Sequence, residues 1–232
     1  MDHLEKLRMY RTPVVYDTIE RFGLRPRTEG YTDHSIKAIF PGMAPFVGYA
    51  CTGRIMAEIP EAEGQNKVAW ADVWQHVERS RKPSIMVCQD LDQPPAQGCA
   101  WGDVAAAIFQ RLGCVAAITN GGVRDIREVE KMGFGLFAPA PVVAHAYIRF
   151  VEVGGPVKVG NLVVSPGELI HVDEHGAVVI PAELDLATLL RSLDRFLASE
   201  SSIIEYARTA PQFDIAALQA KMAEHDAAGH FS

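Results

Sequence analysis

The stretch Cys114-Val115-Ala116-Ala117-Ile118-Thr119, followed at once by Asn120-Gly121-Gly122-Val123-Arg124-Asp125, decides the fold. Its first six residues are apolar or small and show no alternation, the pattern of a strand buried on both faces. Asn-Gly-Gly then reads as a turn, and Arg124 to Met132 as a short helix stopped by Gly133. The same grammar holds on the N-terminal side. SIMVCQD (84–90) is a second continuous apolar strand, DLDQPPAQGCA (90–100) a loop, and GDVAAAIFQRL (102–112) an apolar-faced helix stopped by Gly113. On the C-terminal side LFAPAP (136–141) reads as a further strand end. Strand, helix, strand, helix, strand in this order predicts a largely parallel sheet covered on both faces.

Farther out the texture changes. Leu4 and Leu7 share a helical face, Thr12-Pro13 offers an N-cap with Pro at N1, and the helix runs to Gly23. PGMAPFVGYACTGRIMAEIP (41–60) reads as strand, and 65–80 as a helix with Val68, Ala71, Val73 and Trp74 inward. From about residue 147, AYIRFVEV, VKVG and NLVVSPGELIHVDEHGAVVIP are dense in β-branched residues and punctuated by turns, as short antiparallel strands are. The tail from Glu183 is helical, with LATLLRSLDRFLA, then Pro211 and a final helix IAALQAKMAE. No internal repeat or low-complexity linker interrupts 1–232, so the expectation is one mixed α/β domain with helical extensions at both ends. Such extensions often pack on a neighbouring subunit, which makes a homo-oligomer part of the expectation.

Composition narrows the function classes. The 232 residues suffice for a sizeable core, and 48% hydrophobic with 22% charged residues is ordinary for a globular protein. A net charge of −7 without a Lys/Arg cluster argues against nucleic-acid binding. A small anionic substrate needs only a locally positive pocket. Cys51, Cys88, Cys99 and Cys114 show no C-x-x-C spacing, and three of them sit in apolar runs, as buried free thiols of a reducing compartment do. MDHLEKLRMY lacks the apolar segment of a signal peptide, and no apolar run approaches the roughly 20 residues that span a bilayer. The expected location is cytoplasmic, with no nucleic-acid or membrane partner.

Three pieces of the middle section carry candidate chemistry. Trp101-Gly102-Asp103-Val104-Ala105 is a loop entering a helix, whose free N–H groups favour an anion and whose glycine allows close approach. Asp103 is also what the first turn of any helix prefers, and by itself that capping reading is the stronger one. Asn120 to Asp125 follows a buried strand, where open α/β sheets bind ligands. Arg124 can grip a carboxylate with two hydrogen bonds, and Asp125 offers hard oxygens suited to Mg²⁺ or Mn²⁺. A turn with a surface Arg–Asp pair capping the next helix explains the same residues equally well. Glu128 lies on the same helical face as Asp125, where it can support metal-bound water or pair with Arg124 or Lys131; the exposed pair is the simpler reading.

No G-x-S-x-G, P-loop, G-x-G-x-x-G or H-E-x-x-H motif is present. Lys131 and Lys158 read as surface residues rather than Schiff-base lysines, and His145, His171 and His175 as structural or solvated groups.

From WGDVAAA (101–107) through CVAAITNGGVRDIREV (114–129) the sequence resembles the family of regulator of ribonuclease activity A, which includes 4-hydroxy-4-methyl-2-oxoglutarate/4-carboxy-4-hydroxy-2-oxoadipate aldolases of the class II pyruvate type. Gly102, then Arg124, Asp125 and Glu128, match that family's glycine followed by R-D-x-x-E/D, and PVKVGNLVVSPGELIHVDEHGAVVIP resembles its closing β segment. The resemblance covers about 35–182, leaving 1–34 and 183–232 as helical extensions. It implies a swivelling β/β/α-type fold in homotrimers or homohexamers with active sites between subunits. It also implies backbone donors from Gly102, Asp103, Val104 and Ala105, an oxo-acid-binding Arg124, a metal on Asp125, and Asp103 hydrogen-bonded to metal-bound water. The implied activity is a Mg²⁺- or Mn²⁺-dependent lyase that releases pyruvate from a 4-hydroxy-2-oxo acid through a stabilised enolate, with oxaloacetate decarboxylase activity by the same route. The aldolases add a carboxylate from an adjacent subunit's C-terminal region; FLASESSIIEYARTAP (196–211) offers Glu200 and Glu205. A non-catalytic ribonuclease inhibitor is the rival reading, less favoured because both helical extensions resemble the longer aldolase branch. A methyltransferase reading has no glycine-rich cofactor loop to support it.

Overall fold

The computed structural model, which describes residues 2–43, 45–61 and 67–228, brackets an alternating middle with helices. Helices α1 (His3–Leu7) and α2 (Thr12–Glu20) precede the strands β1 (Lys37–Ala38) and β2 (Phe46–Met56). The middle runs α3 (Trp70–Arg79), β3 (Ser84–Asp90), α4 (Asp103–Arg111), β4 (Cys114–Thr119), α5 (Ile126–Met132) and β5 (Gly135–Ala138). Five short strands follow: β6 (Arg149–Val153), β7 (Val157–Val159), β8 (Leu162–Val164), β9 (Leu169–Asp173) and β10 (Gly176–Ile180). The chain then closes with α6 (Leu186–Thr209) and α7 (Ile215–Ala228).

The main sheet has the order β1-β5-β4-β3-β2-β9-β10, and β6 also pairs with β2. Strands β2 to β5 are mutually parallel. The long β2 serves two neighbours on its other edge: its first half pairs antiparallel with β9 and its second half with β6. Both faces are covered. Met86 and Cys88 of β3 point to a core shared with α3, α4 and α5, while Ile85 and Val87 point to one shared with the β7-β8 hairpin. That is why SIMVCQD and CVAAIT carry no polar alternation. The expected mixed α/β fold of swivelling β/β/α type is the one observed.

A third core joins β9, β10 and the start of β2 to α1, α2 and α6. Leu189, Leu190, Leu193 and Phe196 of α6 are buried there. At about 1.5–3 kcal/mol each they outweigh the exposed Lys6–Asp194 ion pair beside them, worth about 1 kcal/mol at most. The N-terminal helices thus pack on the chain's own sheet, α6 joins the same core beside them, and α7 packs on α6.

Several readings need correction. The helix expected over 65–80 begins at Trp70, and Val68 instead forms an isolated antiparallel bridge with Phe150. Its inward residues are Val73 and Val77, four apart, whereas Ala71 and Trp74 are exposed. The parts of these readings on Ala44, Gln65 and Asn66 lie outside the described residues. Thr12 does not cap α2. The Thr12 N–H donates to the Asp173 carboxylate at 2.8 Å, and Thr12 Oγ1 lies 2.9 Å from His171 Nδ1. His171 Nε2 faces the Leu7 carbonyl at 3.3 Å, so the neutral ring donates from Nε2 and accepts at Nδ1. Burial drives its pKa down to about 4. All four cysteines are free and buried. Among the described residues no helix is long and apolar enough to cross a membrane.

Candidate functional site

The carboxyl ends of β3 and β4 are tied together by Asn120. Its Oδ1 accepts the Asp90 N–H at 2.8 Å and its Nδ2 donates to the Asp90 carbonyl at 2.9 Å. The buried Asp90 carboxylate accepts the N–H groups of Asp92 (3.0 Å) and Ala96 (2.8 Å), and burial raises its pKa. Asp92 in turn accepts from the N–H groups of Ala57 (2.7 Å) and Glu58 (2.9 Å). These carboxylates fold the 90–98 loop so that the chain re-enters at Trp101 beside the end of β4.

Beyond the sheet edge three short extended segments lie side by side. Trp101 and Val123 form a parallel bridge, and so do Val123 and Pro141. The Arg124 N–H donates to the Trp101 carbonyl at 2.9 Å and the Val142 N–H to the Val123 carbonyl at 2.8 Å. This register sets Gly102-Asp103 against Arg124-Asp125. Gly121 and Gly122 keep ordinary negative or extended backbone; what they require is room, because a Cβ on Gly122 would stand 2.4 Å from Val142.

Asp125 is the pivot. It adopts the left-handed conformation (φ 51°, ψ 42°), which costs a non-glycine residue about 1 kcal/mol and which aspartate tolerates better than most. Its carbonyl begins α5 by accepting from Val129, but its side chain makes no capping bond to α5. The carboxylate crosses instead to the start of α4, with Oδ2 3.3 Å from the Asp103 N–H and 3.3 Å from Arg124 Nε. A Cβ on Gly102 would lie 2.3 Å from that oxygen, so glycine is needed for the approach. The alternative in which the pair merely caps the following helix is not what the backbone builds.

The other expected residues divide. Arg124 is half-buried, its Nη1 is 3.5 Å from the Val143 carbonyl, and its buried Nε makes no aligned hydrogen bond. The Asp103 carboxylate accepts the Val104 N–H at 2.7 Å, so the local capping reading holds for one of its oxygens. Of the first-turn donors, the Asp103 and Val104 N–H groups are engaged, while the Ala105 N–H has no partner among the described residues. Glu128 is exposed on α5 and makes no ion pair with Arg124 or Lys131. Lys131 and Lys158 are exposed. Glu200 lies close enough to Asp17 of α2 to help raise its pKa, after burial and Glu20, and Glu205 is exposed farther along α6.

A second acidic group lies elsewhere. Asp173, Glu174 and His175 bring three ligand-type atoms within 4.8 Å of one another. The Asp173 carboxylate there already accepts from the N–H groups of Thr12 and His175 and meets His175 Nδ1 at 3.1 Å.

The Asp90–Asn120 clamp and Asp92 were missed in the sequence because their partners are backbone groups far along the chain. An acidic D-x-D at a strand's carboxyl end, facing an Asn at the end of the next, was the available signal.

Residues 12–179 match the family model described as RraA-like, Aldolase/RraA. Protein DlpA of Legionella pneumophila is 23% identical over 149 residues, 63% of this chain and 23% of that protein. A Halalkalibacterium halodurans protein named "Putative 4-hydroxy-4-methyl-2-oxoglutarate aldolase" is 28% identical over 81 residues, 34% of this chain and 39% of that protein. The aligned stretches thus span well under two thirds of these relatives. The crystal structure of Streptomyces coelicolor RraAS2, described as an unusual member of the RNase ES inhibitor RraA protein family, superposes with a TM-score of 0.67 at 20% identity, covering 86% of this chain and 94% of that one. With the match extending from the start of α2 to the end of the closing strands, the chain belongs to the RraA-like family.

Proposed function

We propose that the chain is a divalent-metal-dependent carbon–carbon lyase that cleaves a 4-hydroxy-2-oxo acid to pyruvate and decarboxylates oxaloacetate through the same enolate. The observation that carries this reading is the Asp125 carboxylate, turned away from its own helix and presented at the start of α4. The donor set fits Mg²⁺ or Mn²⁺: Asp125 and Asp103 each keep one carboxylate oxygen without a partner among the described residues, and such ions bind through one or two carboxylates while retaining water. Asp125 would hold the ion directly. Asp103, and at greater remove Glu128, would act through water.

When bound, the ion supplies Lewis-acid polarisation of the 2-oxo group. Arg124, with a guanidinium only loosely engaged by Val143 and Asp125, binds the substrate carboxylate. The Ala105 N–H and the positive end of α4 add to that clamp. Asp103, through a bridging water, receives the proton of the 4-hydroxyl and returns one to C3 of the pyruvate enolate. The 90–98 loop, pinned by the buried Asp90 and Asp92 carboxylates, and the Asn120 clamp hold these groups in register. The reading includes a homotrimer or homohexamer in which Glu200 or Glu205 of a neighbouring copy completes the site. The exposed apolar Val143 beside Arg124 supports a covering neighbour.

The test is a coupled pyruvate-release assay over 4-hydroxy-2-oxo acids and oxaloacetate, with Mg²⁺ or Mn²⁺ and with chelator. Metal-dependent release, abolished by chelator, is expected. Release that chelator leaves intact, or no release from any member of the panel, would overturn the proposal.

A further inference from the structure

Beside the candidate site lies a cavity of about 530 Å³ that the chemistry above does not use. Its walls are Trp70 and Trp74 of α3, Ile108 of α4 and Ile148 before β6. The two indole rings lie 6.4 Å apart, and Trp70 is braced edge-on against Phe150 at 5.2 Å. The cavity and the site share the first turn of α4: Val104 and Ala105 line the cavity, while Asp103, one residue earlier, meets Asp125. Among the described residues the cavity's lining contains no lysine or arginine, and its one titratable side chain is His145. His145 Nδ1 lies 3.1 Å from the Cys99 carbonyl, so that nitrogen carries a proton and is already engaged.

From this we infer that the substrate is a 4-hydroxy-2-oxo acid bearing an apolar, preferably aromatic, substituent on C4, and that Trp70, Trp74 and Ile108 select it. The inference rests on the lyase reading. Arg124 is spent on the pyruvyl carboxylate, so a second carboxylate at C4 would meet a mostly apolar wall with no lysine or arginine among the described residues, and would lose hydration there. An aryl or branched alkyl group gains from the same wall.

The step balances without any co-reactant. The C3–C4 bond breaks and its electron pair becomes the enolate of pyruvate. The C4 hydroxyl loses its proton through the bridging water to Asp103 and becomes an aldehyde, and the enolate takes a proton at C3. Substrate becomes pyruvate plus one aldehyde.

The experiment compares kcat/KM for 4-hydroxy-2-oxo-4-phenylbutanoate, 4-hydroxy-4-methyl-2-oxoglutarate and oxaloacetate with Mg²⁺, counted per bond cleaved, in the wild type and in Trp74→Ala. The wild type should favour the phenyl substrate over the dicarboxylate by about tenfold or more, and Trp74→Ala should erase most of that ratio. A dicarboxylate used equally well or better would overturn the inference while leaving the lyase reading intact. So would a Trp74→Ala protein with altered sedimentation but an unchanged ratio, which would assign the cavity to contact with a second copy of the chain. Failure of all three substrates would remove the lyase reading and this inference together. Trp74 is at the surface, so its loss is not expected to unfold the chain; the wild-type ratio decides the matter if it does.

Discussion

Two acidic corners of this molecule look alike in composition and differ in what their atoms are doing. Asp173, Glu174 and His175 form the denser group, with three ligand-type atoms within 4.8 Å. Yet the Asp173 side chain is buried and fully engaged: it holds the first N–H of α2 and both a backbone and a ring nitrogen of His175. Arg124-Asp125 is sparser, but Asp125 sits in a left-handed conformation, serves its own helix with the carbonyl alone, and keeps one oxygen without a partner among the described residues. Spare capacity held at a backbone cost, rather than density of ligands, separates a corner that can bind from one that staples helix to strand.

The contrast can be broken at either corner. The largest effect is expected from Asp125→Asn, which keeps the tolerance for left-handed backbone and removes the charge. Pyruvate release should fall about a thousandfold with thermal unfolding nearly unchanged, and undiminished turnover would end the assignment.

The stapling corner should answer to pH. His171 is buried and neutral with a pKa of about 4 against 6.5 in the unfolded chain, so between these values the unfolded state binds more protons. Stability is therefore full above about pH 6.5 and falls as pH drops toward 4, by up to about 3 kcal/mol. Urea titrations from pH 7.5 to 4.5 read this directly, and a flat profile would contradict the buried neutral ring.

Arg124→Lys retains the charge but not the planar fork. It should lower kcat/KM about 10- to 100-fold, chiefly through KM.

The smallest effect belongs to Asp173→Asn. It should cost about 1–2 kcal/mol of stability, read in the same urea titrations, and leave turnover per folded molecule unchanged.

The parts of the fold legible in the sequence were those with local causes. SIMVCQD and CVAAIT are strands at the expected residues because burial on two faces leaves an unbroken apolar run. Gly23, Gly113 and Gly133, read as helix stops, all have positive φ. Thr12 misled because its helix is held by Asp173, which the chain delivers from 161 residues away. Trp74 misled because helical periodicity marks an apolar face without saying whether a sheet or an open cavity lies opposite. At the site, Arg124-Asp125 and Gly102-Asp103 were visible as motifs. What the motif could not show was the direction of the Asp125 side chain, set by a backbone angle and by the bridge between Trp101 and Val123.

Mn²⁺ binding followed by electron paramagnetic resonance, in the wild type, Asp125→Asn and Asp173→Asn, tests the central claim most directly. The wild type and Asp173→Asn should bind the ion alike, and Asp125→Asn should lose it. Binding that survives Asp125→Asn and disappears with Asp173→Asn would place the ion at the other corner and contradict the account.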